Sequence, residues 1–299
     1  MRCKYPEVSL REICKLFGVC RQSFYDASAH KEKISMENAI VIELVGDLRD
    51  KIPLLGTRKL LHLLQPQLQE HGIKMGRDLL FDLLRISGLL IRRRKRMVKT
   101  TNSYHWLKRY PNLTIGLILT GPEQLWVSDI TYIRMQSGFC YLSLITDAYS
   151  RKIVGFELYP TLEAEGPLNA LANATASRKL LKGYALIHHS DRGIQYCCSL
   201  YIQMLSDSNI FPSMTQSGSP YENALAERIN GILKHEFHAG RVYQNFKEAK
   251  KSITRIISIY NSIRPHSSID FLTPDQAHEG RAFNGKRWKN RKPVSLIAG

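Results

Sequence analysis

The sequence predicts an α/β domain, a mixed sheet flanked by helices, preceded by an all-α region. Three observations predict it. Short runs rich in Val, Ile, Tyr and Phe, bounded by turn residues, fill residues 124–159. Helical and strand patterns then alternate over residues 163–237. Before residue 90 the apolar residues recur at helical spacing instead. A chain of 299 residues is long enough for one sizeable core and one or two small domains.

The N-terminal region, residues 1–52, opens with Ser9-Leu-Arg-Glu12, a capping box that starts a helix at Leu10. Leu10, Ile13, Phe17, Val19 and Phe24 offer apolar contacts on both sides of Gly18, which predicts two short helices and a tight turn. In a helix-turn-helix the second helix would present Arg21 and Gln22 to a major groove. A helical hairpin with no DNA role carries the same pattern, so spacing leaves both readings open. A separate amphipathic helix is expected from Glu37 to Asp50, burying Ile40, Val41, Leu44, Val45 and Leu48. Residues 53–91 predict helices at Thr57–Leu64 and Arg77–Ile86, divided by Pro66 and stopped at Ser87-Gly88, as a second helical DNA-binding region.

Residues 92–122 read as a basic linker. No acidic residue occurs from Leu83 to Pro122, while Arg92, Arg93, Arg94, Lys95 and Arg96 follow one another. Such a run serves as a solvated tether and as a phosphate contact without sequence preference. The tail, residues 281–299, is basic too. Net charge of +17 calls for an anionic partner, and nucleic acid is the usual one, although a ribosomal or lipid-surface protein would share the number. The six cysteines include no Cys-x-x-Cys pair. His188 and His189 precede Cys197 and Cys198, but adjacent residues on a strand point to opposite faces, which argues against a zinc site. No run of 18 apolar residues and no leader-like N-terminus occur, so a cytoplasmic protein without a membrane partner is expected.

In the α/β part, strands are predicted at Gln124–Arg134, Phe139–Asp147 and Lys152–Tyr159 as an antiparallel meander. A helix at Glu163–Leu181, a strand at Ala185–His189, a helix, a strand at Ile210–Thr215 and a helix at Tyr221–Phe237 follow. A last helix, capped by Asn245, turns Phe246, Ala249, Ile253, Ile256, Ile257 and Tyr260 inward. Asp129 lies inside the first strand, Asp191 ends the fourth and Glu227 lies on a helix. An unpaired carboxylate within a strand is costly unless it binds something, and three such groups together make a hard, oxygen-rich cation site. Each alone would suit a surface or capping role. Asn223, Glu227, Asn230 and Lys234, spaced four, three and four apart, form one helical stripe, and the two amides and the ammonium are candidate DNA contacts. Arg264 and His266 are further candidates, His266 equally as a hydrogen bonder at a helix end.

Thirty-five residues separate Asp191 from Glu227. With W-x-x-D-I-T-Y at Trp126–Tyr132, H-S-D-x-G-x-Q-Y at His189–Tyr196, G-x-P-Y-x-N-A-x-x-E at Gly218–Glu227, Tyr260-Asn-Ser-Ile-Arg-Pro-His266 and Thr273-Pro274, the chain resembles the D,D(35)E transposases of the insertion-sequence-three family. The likeness is to their second reading frame product, with a retroviral-integrase-like core. It implies a ribonuclease-H-like catalytic core at residues 123–280, with Asp129, Asp191 and Glu227 as catalytic and metal-holding residues. Two divalent ions are implied, Mg2+ with Mn2+ able to take its place, for strand cleavage and strand transfer at element ends. The implied partners are double-stranded DNA of the ends and the target, further copies of the chain on DNA, and an upstream-frame product with a helix-turn-helix and leucine zipper; bound to DNA, the protein would sit at a prokaryotic nucleoid. Two departures are Ser219 and Glu222, where the family often has Asn and Asp. Leu55-Gly-Thr-Arg-Lys59 stands where Tyr-Gly-Tyr-Arg-Arg is usual. A transcriptional repressor would have no need of the three acids, and a nuclease of the same fold no need of the N-terminal reader.

Overall fold

The capping box at Ser9 forms as its residue types dictate. Ser9 Oγ accepts the Glu12 amide at 3.3 Å and the Glu12 carboxylate accepts the Ser9 amide at 3.0 Å, opening α1 (Leu10–Leu16). The computed structural model describes residues 8–91, 110–178, 185–216 and 222–283. Arg92 to Arg96 and the tail beyond residue 283 lie outside them. Two compact units are present, Met1–Asp50 with Gly56–Arg92, and Lys51–Leu55 with Arg93–Gly299.

After a turn at Gly18, whose φ of +66° suits glycine, the first unit departs from expectation. The two helices expected at residues 21–50 are one, α2 (Arg21–Lys51), 31 residues long. No Gly or Pro interrupts Arg21 to Ile40, and Ala, Lys, Glu and Met there favour helix. The contacts expected across Gly18 do not form: Phe17 is 56% exposed, Val19 47% and Phe24 39%. Cys14 is the one buried residue from Val8 to Met36. Further along α2 Val41 and Val45 are buried, as are Leu60, Leu64 and Leu68 of α3 (Thr57–Glu70) and Leu80 and Leu84 of α4 (Arg77–Ile86). Pro66 lies inside α3 rather than ending it. Proline removes one helical hydrogen bond, but Leu64 and Leu68 bury the same face on either side of it and carry the helix through.

The second unit holds β1 (Leu125–Met135), β2 (Gly138–Asp147), β3 (Ile153–Tyr159), α5 (Glu165–Ser177), β4 (Leu186–Ser190), α6 (Ile194–Cys197), α7 (Ser199–Asp207), β5 (Ile210–Met214), α8 (Ala224–Glu236), α9 (Phe246–Ser262) and α10 (Pro274–His278). The sheet order is β3-β2-β1-β4-β5, with β1 to β3 antiparallel and β4 and β5 parallel to β1. Alternation along the central strand β1 divides the core. Trp126 and Ile130 join Ala170, Leu171 and Ala174 of α5 and Tyr201 and Leu205 of α7. Leu125 and Val127 on the opposite face join Ala226 of α8. Gly155 lets α5 approach β3 closely, since a Cβ there would collide with the Ala170 carbonyl and Ala174. This is the mixed sheet flanked by helices that the pattern of runs predicts. As expected, Ala249, Ile253, Ile256, Ile257 and Tyr260 of α9 are buried, and Asn245 Oδ1 accepts the Glu248 amide at 2.9 Å.

Candidate active site

Parallel pairing brings two of the acids to neighbouring positions. Val127 of β1 stands opposite His189 of β4, and two residues further along each chain come Asp129 and Asp191, the latter just past the end of β4. Asp129 Oδ1 accepts the Ile130 amide at 3.0 Å and Asp191 Oδ1 accepts the Gly193 amide at 3.0 Å. Tyr196 is near both, for burial first, then Tyr201, Asp191 and Asp129, push its hydroxyl well above the usual phenol range.

α8 is tied across this pair of strands. Asn223 Nδ2 donates to Ser128 O at 2.9 Å, and Asn230 Nδ2 donates to Asp129 Oδ2 at 2.8 Å. Glu227 lies one turn after the first and one turn before the second, half-buried on the same side of the helix. The amides expected to touch DNA are therefore inside, each 6% exposed, because β1 offers a carbonyl and a carboxylate within reach. Lys234, the next residue of the stripe, is half-buried. Desolvation lowers its pKa, Asp129 nearby raises it and Arg134 lowers it. Among the described residues no three His, Cys, Asp or Glu side chains stand close enough to form a ready-made metal cluster.

Other candidates fall elsewhere. Arg264, expected as a DNA contact, is 2% exposed and forks onto Glu236, with Nε to Oε2 at 2.7 Å and Nη2 to Oε1 at 2.8 Å. His266 is buried with its ring edge-on to Tyr260, the centroids 5.2 Å apart. Both expectations give way to packing roles, because their partners Glu236 and Tyr260 lie on α8 and α9. Glu222 precedes α8 instead of lying in its first turn, and its carboxylate accepts the Gln216 amide. Arg21 and Gln22 are exposed at the start of α2, with Gln22 Nε2 donating to Asp26 Oδ1 at 2.8 Å.

Sequence reasoning gave no role to three residues around the acids, Ser128, His188 and Tyr201. Ser128 Oγ and the Tyr201 hydroxyl meet His188 Nε2 at 2.6 and 3.0 Å, and burial, then the neighbouring His189, push that imidazole down to about 3. His189 turns to the other side, its Nδ1 2.9 Å from Ser213 Oγ and its Nε2 3.1 Å from Glu222 O. Burial lowers its pKa as well, while its bond to Glu222 raises it. His189 and Tyr196 stand inside the quoted motifs, but their burial depends on distant partners that no local pattern reveals.

Comparison with known proteins agrees with this architecture. The Integrase core domain matches residues 120–220 and, in a second form, residues 208–274. A 31 kDa protein of insertion element IS600 from Shigella sonnei is 35% identical over 267 residues, 88% of this chain and 96% of that one. The transposase for insertion sequence element IS629 from the same organism is 30% identical over 213 residues, 71% of each chain. Transposase InsF for insertion sequence IS3fB from Escherichia coli strain K12 is 28% identical over 277 residues, covering 90% of this chain and 94% of InsF. These likenesses show that the chain belongs to the DDE transposases of the insertion-sequence-three family, polynucleotidyl transferases that carry out DNA transposition and integration.

Proposed function

We propose that Asp129, Asp191 and Glu227 are the catalytic carboxylates of this transposase and hold its divalent ions, with Mg2+ as the natural ion and Mn2+ a substitute. The carrying observation is the latch of α8 on β1. Asn223 and Asn230 grip Ser128 O and Asp129 Oδ2, so that Glu227 between them faces the strands that bear the two aspartates. The donors are all oxygens, which suits a hard ion. Among the described residues Asn223 Oδ1 and Asn230 Oδ1 are buried without a hydrogen-bond partner, and water on a bound ion would supply donors to them. Bound ions would neutralise charge on the attacking and leaving oxygens of the scissile phosphate. The chain's own part is to orient: the Ile130 and Gly193 amides and Asn230 fix the aspartates, and Lys234 offers a cation beside Asp129 for a DNA phosphate.

The DNA is expected to be duplex element ends and target, with much of the affinity coming from basic segments of the chain. Residues 92–109 carry eight Lys and Arg and residues 284–299 carry five, with no acid in either, which accounts for 13 of the net 17 positive charges. Arg92 to Arg96 would contact phosphates, and Arg21 and Gln22 would read bases at the start of α2. Assembly of copies on DNA and pairing with an upstream-frame product belong to the same reading. Asp129→Asn, Asp191→Asn and Glu227→Gln should each lower Mg2+-dependent joining at least about a thousandfold and leave DNA affinity within about threefold. Glu222→Gln should retain joining. Joined-product yield and band-shift affinity measure the two arms, and an active Glu227→Gln protein would overturn the assignment.

A further inference from the structure

His189 is fully buried two residues before Asp191, and the chemistry above leaves it without a task. Its hydrogen bonds have only one consistent direction. Glu222 O can only accept, so Nε2 carries the proton and donates. Nδ1 is then an acceptor for the Ser213 hydroxyl, whose oxygen in turn accepts the Leu113 amide at 2.9 Å. One ring thus joins β4, β5 and the residue just ahead of Asn223.

The start of α8 needs this hold. Asn223 is of a type that commonly caps a helix by accepting on its side-chain oxygen, yet it makes no such bond here; its side chain is turned to β1, where Nδ2 donates to Ser128 O. The first turn is therefore placed from outside, by β1 through Asn223 and by β4 through His189. Glu227 lies in that first turn.

We infer that His189 is a positioning residue that fixes the start of α8 to the strand bearing Asp191, and thereby sets where the Glu227 carboxylate stands. The inference rests on the carboxylate assignment made above. Side chains that orient ion-holding groups typically change ion affinity or activity by about 10- to 100-fold when removed.

The test uses the full chain, a labelled duplex of the DNA end bordering its own gene, and a Mg2+ titration of joined product. It adds amide hydrogen exchange in the first turn of α8 without metal. His189→Ala should need about tenfold more Mg2+ for half-maximal joining, and its first-turn amides should exchange about tenfold faster. His189→Gln, whose terminal amide reaches where Nε2 stood, should restore both towards the native values. His189→Asn reaches only the Ser213 side and should not. A native Mg2+ requirement and native exchange in the alanine variant, or equal rescue by Gln and Asn, would overturn the inference. Asp191→Asn in the same assay separates the levels. If it joins DNA normally, the carboxylate assignment falls and the inference with it; if it is inactive while His189→Ala behaves as native, the inference falls alone.

Discussion

The N-terminal hairpin and the ground under α8 are inverted with respect to each other. Around α8 polar side chains are inside: Asn223, Asn230, His189 and Arg264 are all buried, each with a partner on another element. In the hairpin apolar side chains are outside, with Leu16 80% and Phe17 56% exposed. Spacing identifies which residues could share a face, and on α8 it does so correctly. It does not say whether that face meets anything. The catalytic unit has a five-stranded sheet to receive its stripes, whereas two helices with one buried residue between Val8 and Met36 cannot enclose a core.

If that contrast is right, the largest effect on stability should come from a charge in the interior. Arg264→Ala leaves Glu236 without its fork and should cost about 3 kcal/mol, near the low end for a broken buried pair because Glu236 keeps some exposure. Urea unfolding measures this. A variant that kept full stability but lost DNA affinity would return Arg264 to the surface role the sequence suggested. An intermediate effect is expected from His188. Its folded-state pKa of about 3 lies below the ordinary 6.5, so the stability carried by its neutral ring is complete above pH 6.5 and is lost as pH falls towards 3. Between pH 6.5 and 5.5 the native protein should lose about 1 kcal/mol through this ring, and His188→Gln should lack that slope. Equal slopes in the two proteins would mean that the ring is not held neutral by burial. The smallest effect belongs to the hairpin, where Leu16→Ser or Phe17→Ser should alter unfolding free energy by less than about 0.5 kcal/mol. A drop of 2 kcal/mol or more would show that these side chains are covered in solution and that the inversion fails.

Much of this was legible in the sequence for physical reasons. β-branched and aromatic runs mark every strand of the sheet to within about one or two residues, because those side chains fit a pleated, half-buried surface. Asp129 stood out because a carboxylate within a strand needs an explanation, while Asp191 and Glu227 were joined to it by the 35-residue spacing and the family resemblance. What could not be read was direction over long range. Asn223 and Asn230 lie on the helix face that the stripe predicted, but their partners are 95 and 101 residues away, and an amide offered to DNA is indistinguishable in sequence from one offered to β1. Arg264 finds its carboxylate 28 residues back. Pro66 and the uninterrupted α2 show the complementary failure, where burial and propensity outweighed local punctuation.

The pairing of β1 with β4 joins residues about sixty positions apart, and the ties of α8 to β1 span more still. On a ribosome, therefore, the first aspartate emerges long before anything it can work with. A chain halted ahead of residue 223 would possess both strands and neither latch of α8. On the proposed assignment of the carboxylates, stop codons ahead of residue 223 should therefore yield fragments inert in strand cleavage, which assay of such truncated chains would check.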